Sequence, residues 1–221
     1  MKVNEIFHSI QGEGIYMGLP MSFVRFTGCH LRCKWCDTKY AYIDGFELPI
    51  PGILERLRAY PCNNVCLTGG EPMSQREMPV LVKQLIKNDF AVYLETNGSV
   101  FLGTLPKSKS LFISMDIKCP SSGEEQKMNF TNLEILGVGD QVKFIIADDE
   151  DYEYAKEIME NYTIPPECAV IFQSCAIPPG FVEFQPMAYT QLVERILIDG
   201  LSVRVLPQLH KLIWPDQLRG I

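Results

Sequence analysis

Apolar residues in this chain gather into short continuous runs separated by longer amphipathic stretches. Runs such as Leu111-Phe112-Ile113 and Phe144-Ile145-Ile146 lack the alternation of a half-exposed strand. They suit strands covered on both faces of a parallel sheet. On this basis strands are expected over residues 22–27, 64–68, 91–95, 111–117, 141–147, 168–172 and 202–206. Between them the apolar period lengthens to that of a helix over 52–60, 77–88, 149–162 and 188–198. Pro79 falls in the first turn of the second helix, where a missing N–H costs nothing. The run Asp148-Asp149-Glu150-Asp151 opens the third and complements the positive end of its dipole. Residues 119–139 show no helical period, so one crossover is degenerate. Strand and helix in alternation predict an α/β fold with right-handed crossovers, a modified and incomplete (β/α) barrel.

Composition narrows the classes. With 221 residues, 47% hydrophobic and 21% charged, the chain has room for a real core. No Ser/Gly-rich linker divides it, so 1–221 reads as a single domain. A net charge of −7 argues against a phosphate-backbone binder, and no nucleic-acid partner is expected. A small anionic substrate held by a placed arginine remains compatible. The start, Met1 to His8, has no basic segment followed by an apolar one, and no apolar stretch approaches the ~20 residues of a membrane span. The expected location is cytoplasmic, with no membrane partner. In that compartment the eight cysteines point to metal or redox chemistry rather than disulfides.

The residues that follow each expected strand carry the unusual chemistry. They read Gly28-Cys29, Thr68-Gly69-Gly70-Glu71-Pro72, Glu95-Thr96-Asn97-Gly98, Asp116-Ile117-Lys118, Gln173-Ser174 and Pro207-Gln208-Leu209-His210-Lys211. In (β/α) barrels catalysis collects at the C-terminal strand ends. This convergence on one rim predicts an enzyme.

Cys29, Cys33 and Cys36 form Cys-x3-Cys-x2-Cys just after a strand. Three soft thiolates on one loop suit three corners of an iron–sulfur cube and leave one iron open. A zinc knuckle using these cysteines and His30 is the competing reading, but zinc sites usually pair Cys-x2-Cys with a second distant pair. With Trp35 before the last cysteine, the loop resembles that of the radical S-adenosylmethionine superfamily, and Gly69-Gly70-Glu71 matches that superfamily's Gly-Gly-Glu segment. The resemblance implies a [4Fe-4S] cluster whose open iron is chelated by S-adenosylmethionine, with release of a 5′-deoxyadenosyl radical.

Ile6-Phe7-His8-Ser9-Ile10-Gln11-Gly12-Glu13-Gly14, Arg25, Cys36-Asp37-Thr38, Ser114-Met115-Asp116-Ile117-Lys118, Pro120-Ser121-Ser122-Gly123 and Leu206-Pro207-Gln208-Leu209-His210-Lys211 narrow the resemblance. Over the whole chain it is similar to the 7-carboxy-7-deazaguanine synthase family. That family converts 6-carboxy-5,6,7,8-tetrahydropterin to 7-carboxy-7-deazaguanine with loss of ammonia, on the route to queuosine and archaeosine. It is homodimeric, uses Mg2+, and draws its electron from a donor such as flavodoxin or ferredoxin. The resemblance implies cofactor contacts at Trp35, Cys36, Asp37, Gly70, Ser114, Asp116, Lys118 and Gln173. It implies substrate contacts at Ile10, Gln11, Gly12, Glu13, Arg25, Thr68 and His210, and Mg2+ at Thr38. The residue chemistry agrees: Gln11 both donates and accepts, Glu13 accepts from ring N–H groups, and Arg25 pairs with a carboxylate.

Two departures bear on this reading. Asp116-Ile117-Lys118 stands where the family commonly has Ser-Pro-Lys. Phe172-Gln173-Ser174 stands where Phe-Gln-Pro is expected, while Phe184-Gln185-Pro186 follows; Gln173 is preferred because it ends a strand. Cys66 falls inside a strand and reads as a small buried apolar group, so Cys62-x3-Cys66 is not an auxiliary cluster. The alternative function is a glycyl-radical-enzyme activating enzyme, which shares the triad but gives no reason for Gln11, Glu13 and Arg25.

Overall fold

The computed structural model describes residues 1–176, 185–217 and 219–221. The chain opens with strands β1 (Lys2–Ile10), β2 (Pro20–Phe26) and the short β3 (Phe46–Glu47). Then come α1 (Ile50–Arg58), β4 (Asn64–Gly69), α2 (Met78–Lys87), β5 (Ala91–Thr96) and β6 (Leu111–Ile117). The remainder is β7 (Gln141–Ile146), α3 (Asp149–Asn161), β8 (Ala169–Ser174), α4 (Tyr189–Asp199), β9 (Arg204–Val205) and α5 (Leu209–Ile213). One nine-stranded sheet runs β3-β1-β2-β4-β5-β6-β7-β8-β9. Its pairings are antiparallel at β1 and parallel from β2 to β9. This is the incomplete (β/α) barrel that the apolar runs predict.

The expected strands and helices form, displaced by at most a few residues at their ends. Two crossovers lack an α-helix, where one was expected. Between β5 and β6 lies a single 3-10 turn, Leu102–Thr104, and between β6 and β7 lie Pro120–Ser122, Glu125–Lys127 and Phe130–Ile135. Strand β1 was not expected at all. A register shift between Val3 and Glu5 breaks its alternation, and only Val3 and Phe7 of the strand are buried. A bulge hides period 2 from any sequence window. Helix α5 also escaped, since five residues are too few to show a period.

Alternate strand residues face two different interiors. Val24, Leu67, Val92, Leu94, Met115, Val142, Phe144 and Phe172 face outward and pack against Leu57, Leu81, Leu85, Tyr152 and Leu192 of the helices. Each such burial is worth about 2 kcal/mol against the entropy of ordering. Facing inward, Phe7, Phe23, Cys66 and Tyr93 form a second cluster with Phe112. Phe7 stacks on Phe23 with centroids 4.9 Å apart, and Tyr93 on Phe112 at 4.9 Å. This aromatic plug fills the lower half of the barrel. The same strand faces are therefore free to carry polar side chains one step higher.

Candidate active site

Above the plug, the inward positions change character. They become Arg25 on β2, Thr68 on β4, Glu95 on β5, Asp116 on β6, Lys143 on β7 and Gln173 on β8, all lining one cavity of about 230 Å3. The ladder fixes their order, with Arg25 opposite Thr68, Asp116 opposite Lys143 and Ile145 opposite Gln173. Ile10, Gln11, Gly12 and Glu13 from the β1–β2 loop line the same cavity, as do Cys29, Cys33, Trp35, Cys36, Asp37, Thr38, Gly70, Lys118 and His210. The structure thus gathers every expected site residue except Ser114. Its hydroxyl accepts from Gln141 Nε2 at 2.7 Å, and Gln141 Oε1 in turn accepts from Ile15 N at 2.8 Å. That amide covers Ser114 a level below Asp116 on the strand, and Ser114 is the one expected contact that does not line the cavity. Gln185 is not among the residues lining the cavity, whereas Gln173 is. Phe184 lies outside the described residues.

One side of the cavity is an acceptor surface. Glu95 takes hydrogen bonds from Thr68 Oγ1 at 2.7 Å and Gln11 Nε2 at 3.0 Å. Glu13 takes one from Gln208 Nε2 at 2.5 Å and is paired with Lys143. Burial alone would raise the Glu13 pKa, but the Lys143 ammonium and the Gln208 amide hold it well below the usual carboxylate range. Burial conversely lowers the pKa of His210, with Glu13 working against it. Leu209 N donates to Gly12 O at 2.8 Å, which lays α5 against the loop. A Cβ at Gly12 would run into the His210 ring, so this close approach requires glycine.

Arg25 has a partner within the protein. Its Nε donates to Glu5 Oε1 at 2.7 Å, and Glu5 also accepts from Tyr40 at 3.1 Å. The guanidinium lies over the Phe7 and Tyr40 rings, 5.7 and 5.9 Å from their centroids. This ion pair engages one nitrogen of a five-donor fork and orients the group where it lines the cavity.

The opposite side is built around the cysteine loop. Hydrogen bonds from Lys34 N to the Ser122 carbonyl (3.1 Å) and from Arg32 N to the Glu124 carboxylate (2.6 Å) tie this loop to the helix-poor crossover. Burial raises the Cys29 thiol and pushes Cys33 up to about 11, which favours their neutral form until a metal binds. Among the described residues no three His, Cys, Asp or Glu side chains converge tightly enough for a single ion. The three thiols line one cavity without meeting at a point, a donor set that suits a cluster whose irons each take one ligand and not a lone zinc. His30 is bonded instead to Ser74 at 3.1 Å and Ser99 at 2.6 Å. Gln173 Oε1 is buried without a partner, an acceptor left for a ligand. These features fit a cluster with S-adenosylmethionine beside it.

Neighbouring groups also hold the local fold. A Cβ at Gly70 would meet the Gly28 carbonyl, so backbone contact already demands glycine there. Buried Glu71 accepts from Met73 N, Thr96 Oγ1 and Asn97 N at 2.9, 2.8 and 2.7 Å, tying β4 to β5. Trp35 Nε1 donates to Ser121 Oγ at 3.0 Å, and Ser121 donates to buried Asp151 at 2.6 Å. Asp151 also accepts from Ser121 N at 2.9 Å and Ala147 N at 2.8 Å. The acidic start of α3 therefore orients the tryptophan as well as complementing the helix dipole. Asp151→Ala is expected to cost about 3 kcal/mol, because three donors lose their acceptor. Denaturant titration checks this, and unchanged stability would contradict it.

Sequence reasoning missed Glu5 and Lys143 as parts of this constellation, and placed Glu95 and Gln208 on the rim without giving either a role. Lys143 carried a usable signal, a lone charge inside the apolar run 142–146, like Arg25 in its strand. Glu5 carried none, since the strand that places it was hidden.

An open parallel barrel with three thiols and a polar cavity on its upper rim defines a radical S-adenosylmethionine enzyme, and residues 23–163 match the Radical SAM superfamily. The chain is 39% identical over 216 residues to the 7-carboxy-7-deazaguanine synthase of Thermoplasma acidophilum, covering 98% of each chain. It is 38% identical to that of Methanospirillum hungatei, covering 96% of this chain and 85% of the relative. Within the superfamily, the chain belongs to the 7-carboxy-7-deazaguanine synthase family. The crystal structure of QueE from Escherichia coli superposes with a TM-score of 0.75 at 23% identity, covering 95% of this chain and 94% of that one, and shows the same fold.

Proposed function

We propose that this chain converts 6-carboxy-5,6,7,8-tetrahydropterin to 7-carboxy-7-deazaguanine and ammonia, supplying a precursor of queuosine or archaeosine. One observation carries the reading: the cysteine loop and the acceptor-rich upper barrel open into a single cavity. Gln11, Glu13 and Thr68 bind the guanidine-like edge of the pterin, with Glu95 bonded to two of them. Arg25 pairs with the substrate carboxylate, and His210, with Ile10 and Gly12, closes over the ring. An enclosed floor of this kind favours a small molecule over the large protein substrate of an activating enzyme.

Cys29, Cys33 and Cys36 hold the cluster, while Trp35, Asp37, Gly70, Asp116, Lys118 and Gln173 hold S-adenosylmethionine. When bound, the pair supplies a 5′-deoxyadenosyl radical. The chain's own part is to hold both ligands in one geometry, which is worth many orders of magnitude in rate. Lys118 is suited to anionic or hydroxyl groups, since Asp116 at 3.0 Å keeps it charged against burial. The reading further includes one domain over 1–221, a homodimer, a flavodoxin or ferredoxin as donor, and a cytoplasmic location. Among the described residues no helix is long and apolar enough to cross a membrane.

Mg2+ belongs to the same reading. Thr38 Oγ1 donates to Asp37 Oδ1 at 2.8 Å, and Asp37 is held by Lys211 at 3.0 Å, so the hydroxyl oxygen keeps a lone pair for a hard cation that otherwise retains waters. Thr38→Ala is expected to raise the Mg2+ needed for half-maximal turnover about tenfold, and Thr38→Ser to leave it nearly unchanged. Turnover indifferent to both Mg2+ and Thr38→Ala would remove the metal from the reading. The activity itself is tested by giving the anaerobically reconstituted, reduced protein S-adenosylmethionine and the carboxypterin. Formation of the deazaguanine by mass supports it, and cofactor cleavage with the pterin unchanged refutes it.

A further inference from the structure

Lys143 has no role in the reading above. It stands mid-strand in β7, whose six residues are all buried, and its side chain is only 5% exposed. A buried ammonium persists only with partners. Lys143 has two, Glu13 from the β1–β2 loop and Asp116 Oδ1 on β6 at 3.2 Å. These carboxylates serve opposite halves of the cavity. Glu13 lies with Gln208 and His210 toward the pterin. Asp116 binds Lys118, whose ammonium is 5.7 Å from the Trp35 ring centroid, toward the cofactor. Among the described residues no other cation pairs with both.

We infer that Lys143 is a positioning residue that joins the two half-sites, holding Glu13 ionised and aimed at the pterin while it fixes Asp116 toward the cofactor. It acts through the two carboxylates and not on the reacting atoms. The inference rests on the assignments of Glu13 and Asp116 made under Proposed function. Its physical consequence is a charge state. Around Glu13 the remaining groups are His210, Asp37 and Tyr189, with Asp116 and Glu95 across Lys143. Remove the ammonium, and burial among anions pushes the Glu13 carboxyl upward instead of down. The site then loses its charged acceptor at a higher pH than the wild type does, with only the Gln208 amide and His210 left to oppose the change.

The test compares Lys143→Met with wild type as cluster-loaded, reduced enzymes. Expected are an unchanged iron content, a KM for the carboxypterin raised about tenfold, and a ratio of 5′-deoxyadenosine to deazaguanine raised about tenfold. The acid limb of kcat/KM for the pterin should move up by about one pH unit or more, and Lys143→Arg should restore part of the coupling by restoring the charge. A loaded Lys143→Met enzyme with the wild-type ratio and the wild-type acid limb overturns the inference. If that variant does not load its cluster, Lys143→Gln carries the same two readings. A wild-type protein that forms no deazaguanine overturns the activity and this inference together. A wild type that does form it, beside an unaltered Lys143→Met enzyme, overturns this inference alone.

Discussion

Cys29→Ala, Cys33→Ala and Cys36→Ala are each expected to lose the iron–sulfur chromophore and at least about 1,000-fold of turnover. The three thiols line the cavity, and each is expected to hold a different iron. Removing one leaves two irons open, and the cube degrades. The other cysteines make sharp controls. Cys66 is fully buried in the aromatic plug with Phe23 and Tyr93, and Cys62 bonds the Pro20 carbonyl at 3.2 Å. Cys66→Ala should therefore cost packing and a weak contact from Gln11 Nε2 at 3.8 Å, about 1–2 kcal/mol together, and Cys62→Ala less, both with iron content unchanged. Iron analysis and visible absorption after anaerobic reconstitution check this. Equal loss of iron in Cys62→Ala and Cys33→Ala would displace the cluster from the 29–36 loop.

Arg25→Ala is expected to separate the two halves of the reaction. A bidentate guanidinium–carboxylate contact in a desolvated cavity is worth about 3–4 kcal/mol, so deazaguanine formation should fall about 100- to 1,000-fold. Slow cleavage of S-adenosylmethionine should persist, because the cysteine loop, Asp116 and Lys118 stand on the other side. The ion pair with Glu5 adds a stability cost, since Glu5 is 17% exposed and loses its cation. Arg25→Ala/Glu5→Gln removes that cost while leaving the catalytic defect, which tells the two apart. A folded, cluster-loaded Arg25→Ala protein that loses both activities equally would contradict a carboxylate partner.

Much of this architecture was legible because parallel strands announce themselves as continuous apolar runs and their C-terminal ends as polar clusters. The cysteine triad, Gly70, Asp116, Lys118 and Gln173 all lie at such ends. What stayed hidden was non-local or irregular. The bulge in β1 concealed Glu5, and α5 was too short to declare the helix that brings His210 to the cavity. Ser114 faces inward like Asp116 but lies under the Gln141 amide, which no one-dimensional pattern conveys. The Trp35–Ser121–Asp151 chain joins residues 86 and 30 positions apart. Asp151 therefore read as helix-start chemistry alone.

The most direct measurement of the central claim is a product balance. Wild-type protein, reduced and loaded with cluster, is given the carboxytetrahydropterin, S-adenosylmethionine and Mg2+, and ammonia and deazaguanine are counted together. One ammonia per 7-carboxy-7-deazaguanine, and neither without S-adenosylmethionine, is the expected result. Accumulation of 5′-deoxyadenosine with the pterin recovered intact and no ammonia released would contradict the claim that this cavity binds the pterin for ring contraction.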